Sequence, residues 1–237
     1  MSDIILRDSW TPKESSKVLI KSKVRVKSYG EVFTPGWMVE KMLDELREET
    51  NSIYKTILEP SAGNGNFLVA LLLRKLEALE RNYAGEEKLW DVKALFALSS
   101  IYAIEIQLDN VSEARRAMLT AFANWLNLHN SKISPSEDVY KSAKTLVNTN
   151  IVWGDTLTQT HRYGGPIIMS EWKLAKPKSA QVERIPFVFA SHLNKQPSSE
   201  TPDHSINCQL TLSEPEPIKP LIYKIVNIKK IYKEETI

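Results

Sequence analysis

Three short apolar runs, Thr56–Leu58, Ser100–Ile104 and Asn150–Gly154, each end against a carboxylate: Glu59, Glu105 and Asp155. Runs of this length and β-branched content read as buried strands. In open α/β sheets ligands bind beyond the carboxyl ends of the strands, which puts Glu105, the single carboxylate ending the second run, where a ligand would sit. The first run breaks at Pro60 into a small-residue turn in which Gly63 and Gly65 allow positive φ and close backbone approach. From Phe67 onward Leu68, Leu71, Leu72, Leu76 and Leu79 recur at helical spacing, so the free N–H groups of that helix's first turn face the loop and favour a carboxylate or phosphate. Two glycines between a strand and a helix are equally what a plain structural turn looks like.

The turn is richer than its glycines. Glu59-Pro-Ser-Ala-Gly-Asn-Gly-Asn-Phe67 resembles motif I of the S-adenosylmethionine-dependent DNA adenine methyltransferases, (Asp/Glu)-Pro-(Ala/Ser)-(Cys/Ala)-Gly-x-Gly-x-Phe, at every defining position. The resemblance implies that Glu59, Ser61, Ala62, Gly63, Gly65 and Phe67 hold the methionine part of the cofactor. Upstream, Gly30-Glu-Val-Phe-Thr-Pro35 resembles the Gly-x-(Tyr/Phe)-Thr-Pro signature called motif X, which precedes motif I in the amino-type methylases of restriction–modification systems. Phe33, Thr34 and Pro35 are thereby implied cofactor contacts. Resemblance to motif II implies that Glu105, with Ile106 beside it, accepts from the ribose hydroxyls. Its distance from the glycines is nearly double the roughly twenty residues usual in dinucleotide folds, and an extra helix accounts for this. Gly154-Asp155 resembles motif III, which makes Asp155, with Thr156 and Leu157 beside it, the acceptor for the adenine amino group.

The resemblance stops at motif IV, (Asp/Asn)-Pro-Pro-(Tyr/Phe), where the target base is held. No Asn-Pro-Pro or Asp-Pro-Pro occurs in the chain, and strand phase puts Ser170-Glu171-Trp172 in its place. Trp172 is able to stack on an extruded base and Glu171 to accept a proton, whereas a strand-end Trp is equally a packing residue.

The elements that must position these residues follow from the pattern. Gly36 leads into a helix striped by Val39, Met42, Leu43 and Leu46, and Leu89–Leu98 is helical. Asp109 or Asn110 caps a helix lined by Val111, Ala114, Met118, Ala121, Phe122 and Trp125. Ser134-Pro-Ser-Glu137 forms a capping box with Pro at the first helical position, opening a helix with Val139, Ala143 and Leu146. Helices alternating with apolar runs argue for a mainly parallel sheet, to which Gly165–Trp172 supplies a fourth strand. The expected fold is α/β: a Rossmann-like methyltransferase fold with a mainly parallel sheet flanked by helices.

Residues 1–28 form a basic arm with Lys13, Lys17, Lys21, Lys23, Arg25 and Lys27, read either as solvated surface or as a phosphate-contacting arm. Residues 29–175 form the cofactor-binding core. Residues 176–237 form an irregular segment completing or flanking it, with short strands at Phe187–Ala190 and Asn207–Leu212 and an isoleucine-spaced stretch, Leu221–Tyr232, open to helix or strand.

At 237 residues and 42% hydrophobic content, the chain suits one sizeable α/β core, and a net charge of +2 is permissive rather than diagnostic for nucleic acid. A single cysteine, Cys208, excludes an internal disulfide and a Cys-rich zinc site, and fits a reducing compartment. No run reaches membrane-spanning length and the N-terminus lacks signal-peptide order, so a cytoplasmic protein is expected. The resemblance implies a DNA adenine methyltransferase with S-adenosylmethionine as cofactor, no metal, weak DNA affinity alone, and a specificity or restriction subunit as partner. The alternative is a non-catalytic cofactor-binding module supporting such a partner, which the missing motif IV favours. A methylase acting on protein or a small molecule is a third reading, disfavoured by Phe33-Thr34-Pro35.

Overall fold

The second apolar run becomes β2 (Ile101–Glu105), buried along its whole length, and its alternation separates two layers. Ile101 and Ala103 face a large helical core, while Tyr102 and Ile104 face a smaller cluster with Val152, Ile167, Met169 and Phe189. The structure is a computed structural model and describes residues 19–129, 136–176, 179–193 and 221–233.

β1 (Ile57–Glu59) pairs parallel with β2, Ile57 opposite Ile101, and β2 pairs parallel with β3 (Ile151–Asp155), Ala103 opposite Ile151. A two-residue strand, β4 (Thr160–His161), closes the far side antiparallel to β3. The protein is therefore mixed α/β, with a mostly parallel sheet flanked by helices. Among the described residues no helix is long and apolar enough to cross a membrane.

Helices supply the first layer. α1 (Lys23–Tyr29) is capped by the Ser22 hydroxyl and ends at Gly30 in the left-handed region. α2 (Gly36–Glu45) starts behind Pro35, whose carbonyl accepts from Met38 and Val39, and α3 (Arg47–Thr50) follows. α4 (Asn66–Asn82) is the expected helix after the glycine loop. Leu68, Leu71, Leu72, Leu76 and Leu79 are all fully buried, each contributing about 2 kcal/mol of transfer free energy. A 3-10 turn, Glu87–Leu89, leads into α5 (Trp90–Ser99). α6 (Leu108–His129) and α7 (Glu137–Asn150) bury the stripes expected of them. Asp109 lies inside α6 rather than capping it. α7 begins at Glu137 with Ser136 at its cap, two residues later than the capping box implies, and Ser134 lies outside the described residues.

The fourth strand does not join the parallel sheet. β5 (Ile168–Leu174) pairs antiparallel with β6 (Gln181–Val188), and β6 with β7 (Val226–Asn227), in a separate three-stranded sheet. This sheet covers the face of β2 and β3 opposite the helices through Met169, with Phe187 and the adjoining Phe189 packed beside it. The boundary expected after residue 175 thus falls in the connection of a hairpin, and β6 runs through Pro186 instead of starting after it. After β6 come α8 (Phe189–Leu193) and, later, a 3-10 turn, Ile228–Lys233. Ile228 and Ile231 are both buried against the helical core while Ile222 and Ile225 stay exposed. Asn207–Leu212 lies outside the described residues.

Candidate ligand-binding site

The loop after β1 is held on three sides. From below, Ala62 N–H donates to the Ile104 carbonyl at 3.0 Å, and Gly63 N–H donates to Glu105 Oε2 at 2.7 Å. From the third strand, Thr156 Oγ1 donates to the Pro60 carbonyl at 2.6 Å. From above, the buried Phe33 ring covers Gly63: a Cβ there would meet Phe33 Cδ1 at 3.2 Å. Gly63 has φ +54° and Gly65 +93°. Gly65 is the tighter constraint, because a Cβ would lie 2.7 Å from Ala114 Cα on α6. Loop and helix approach closer than any other residue allows.

This geometry gathers Phe33, Glu59, Ser61, Ala62, Gly63, Gly65, Glu105 and Thr156 around one turn at the carboxyl ends of the parallel strands. Glu59 Oε1 accepts from Ser61 N–H at 2.9 Å. Burial raises the Glu59 carboxyl above its ordinary range, the Ser61 N–H partly offsets this, and the nearby Glu105 charge adds to the rise. Asp155 Oδ1 accepts from the Leu157 and Thr158 N–H groups, which aims its carboxylate across the strand end. α4 starts behind its N-cap, Gly65, and turns its first N–H groups toward the loop, a setting suited to an anionic ligand group.

Other expected residues play different parts. Phe67 is partly buried and packs against the helical core. The Ile106 carbonyl accepts from Trp153 Nε1 at 3.0 Å. Thr34 and Pro35 lead from the Phe33 cover into α2. Glu105, expected as an open ribose acceptor, is only 5% exposed, and its other oxygen accepts from Gln107 N–H at 2.8 Å. A buried carboxylate needs donors, and the loop and the residue just before α6 supply them from the backbone.

Sequence reading missed the second tier. Glu31 and Asn110 lie beside Glu105: Asn110 Nδ2 donates to Glu105 Oε1 at 3.5 Å and to Glu31 Oε2 at 3.4 Å. Arg25 donates to Glu31 and to Asp109, and Lys21 to Asp109, Asn110 and Glu113. The Arg25 guanidinium, chiefly, holds the Asp109 carboxyl well below the usual range. Lys21 and Arg25 are therefore neither solvated surface nor free for phosphate; they dock the segment bearing Phe33 onto α6. The presence of Glu31 inside the Gly30–Pro35 signature was the available signal.

Ser170, Glu171 and Trp172 are not part of this site. β5 runs against β3, so Ile167 lies by Gly154 near the carboxyl end, while Trp172 Nε1 donates to Asn150 Oδ1 ahead of the strand's start. Trp172 is 7% exposed and belongs to the helical core, with the Arg184 guanidinium 5.2 Å from its ring centroid. Ser170 is buried, its hydroxyl accepting from Arg184 Nε and its carbonyl from the Tyr102 hydroxyl. Glu171 is exposed on a separate cleft with Thr56, Leu58, Tyr102, Met169 and Phe187. The assignment of these three to base capture is corrected by their position: they lie toward the opposite end of the strands.

No protein-family model matches the chain, and comparison with curated proteins and with solved structures finds no match.

Proposed function

We propose that this chain is an S-adenosylmethionine-binding module of the DNA adenine methyltransferase type with a Rossmann-like methyltransferase fold, in which the cofactor half of the site is built and the base-holding half comes from elsewhere. One observation supports this above the rest: three separate segments converge on Gly63, with Phe33 above it, Glu105 on its N–H, and the turn to α4 beside it. A plain structural turn needs no aromatic cover and no buried carboxylate from the next strand.

The residues fit the cofactor in its parts. The α4 N-terminus suits its carboxylate, Asp155 Oδ2 is unengaged among the described residues and suits the adenine amino group, and a buried oxygen of Glu31 has no donor. Bound S-adenosylmethionine would supply an electrophilic methyl group, taken by an exocyclic nitrogen as the C–S electron pair leaves on sulfur. The chain's own contribution is to bind and orient.

The placement of Ser170, Glu171 and Trp172 favours the second reading, in which the module holds the cofactor for a catalytic, specificity or restriction partner and binds DNA weakly by itself. Calorimetry with S-adenosylmethionine and S-adenosylhomocysteine tests the cofactor reading, and a folded protein that binds neither refutes it. Tritiated cofactor with unmethylated genomic DNA separates the two readings: transfer by the isolated chain establishes the enzyme, and binding without transfer establishes the module.

A further inference from the structure

We propose that Glu31 Oε1 is a ligand-binding atom of this site, accepting a hydrogen bond from the α-ammonium or a ribose hydroxyl of the cofactor; the inference rests on the cofactor reading above. The Glu31 side chain is 8% exposed. Its Oε2 is engaged by Arg25 Nε at 2.6 Å and by Asn110 Nδ2 at 3.4 Å, whereas Oε1 is buried and has no hydrogen-bond partner. Buried carboxylate oxygens are almost always given donors, because water cannot supply the bonds lost on burial. The other acids of this site each accept from at least one backbone N–H, Glu59 from Ser61, Glu105 from Gly63 and Gln107, and Asp155 from Leu157 and Thr158, and no other buried carboxylate oxygen among the described residues lacks a partner.

Location agrees with chemistry. One amide, that of Asn110, bridges Glu31 to Glu105, and Glu105 in turn holds Gly63. Glu31 also lies two residues before Phe33, the cover of the loop. Its carboxylate is thus carried by the same segment that closes the site. Four acids, Glu31, Glu105, Asp109 and Glu113, stand against two bases, Lys21 and Arg25, in this cluster. That excess of negative charge favours a donor group over another acceptor. Besides the adenine amino group, for which Asp155 is suited, the cofactor offers two kinds of donor, the α-ammonium and the ribose hydroxyls, and Glu105 has both oxygens engaged by the backbone.

The experiment is calorimetry on the full chain with S-adenosylhomocysteine, which has both donors, and 5′-methylthioadenosine, which keeps the hydroxyls but lacks the amino-acid end. Glu31→Gln should weaken S-adenosylhomocysteine at least about tenfold. Equal weakening of methylthioadenosine identifies a hydroxyl as the donor; unchanged methylthioadenosine affinity identifies the ammonium. Arg25→Met, which loosens the docking of the Phe33 segment but keeps the Glu31 acceptor, should weaken S-adenosylhomocysteine less than Glu31→Gln does. If Glu31→Gln does not fold, Glu31→Asp, which withdraws the carboxylate by one methylene, takes its place with the same expected loss. Unchanged affinity for both ligands in a folded Glu31 variant overturns the proposal, as does an Arg25→Met loss equal to that of the Glu31 variant, since the effect would then be one of docking α1. Wild-type protein that binds neither ligand defeats the cofactor reading instead.

Discussion

Phe33 and Gly63 are in contact: the ring carbons Cδ1 and Cε1 stand 3.2 and 3.4 Å from where a Gly63 side chain would begin. The contact closes the loop from above while Glu105 ties it from below. The loop is thus already shaped before any ligand arrives, and affinity should depend on this shape.

Substitution at the two loop glycines should separate stability from binding. Gly65→Ala places a Cβ 2.7 Å from the Ala114 backbone, which cannot yield without moving α6, and should cost about 3 kcal/mol in urea unfolding. Gly63→Ala meets only the edge of a ring at 3.2 Å, in a backbone region costing about 1 kcal/mol. That variant should fold and lose cofactor affinity as Phe33 is displaced. Equal unfolding midpoints for both variants would contradict this account.

Trp172 should behave as a core residue. Trp172→Ala leaves a cavity beneath the hairpin and removes the donor to Asn150, so a loss of about 3–5 kcal/mol is expected by denaturant titration. At temperatures where the variant remains folded, S-adenosylhomocysteine affinity should match wild type. Near-native stability with loss of methyl transfer would restore it to base stacking.

Lys75 gives the fold a pH dependence in the alkaline range. Its ammonium is fully buried on α4 and donates to the Glu49, Ser52 and Lys55 carbonyls at 3.3, 2.7 and 2.7 Å. Burial pushes its pKa from 10.5 down to about 8. Between these values the unfolded chain binds more protons than the folded one, so the Lys75 contribution to stability rises with pH above about 8, is complete above 10.5, and is lost as pH falls through 8. Lys75→Met should flatten this rise. It should also cost about 3 kcal/mol near neutral pH by orphaning three carbonyls. Guanidinium titrations of both proteins at intervals from pH 7 to about 11 read the difference directly.

The sequence made the first three strands, the glycine loop and the leucine face of α4 legible because each rests on local rules: a strand period, a turn residue, a helical stripe. Strand-end acids were legible for the same reason. What was not legible depended on contacts between distant segments. Glu105 looked like an open acceptor because nothing local reveals that Gly63 and Gln107 turn their N–H groups onto it. Lys21 and Arg25 looked like a charge run, since their partners Asp109 and Glu113 lie on α6. Strand phase placed Trp172 correctly on a strand but could not reveal that β5 runs opposite to β3 in a different sheet. Direction decided its role.

β1 joins the sheet through three residues and one neighbour, yet the whole loop hangs from it. Its pairing with Ile101, Tyr102 and Ala103 is its one seam among the described strands, while β2 and β3 are anchored beneath α6 and α7. Local opening should therefore begin by peeling β1 from β2, releasing Glu59 and the Gly63–Glu105 tie in one step. Amide exchange at Leu58 and Gly63 should share one opening rate, well ahead of Ala103 and Ile104, and a bound ligand should slow the first pair while leaving the second unchanged. Such coupling would make the site a cooperative unit of its own, able to melt and re-form while the helical layer remains folded.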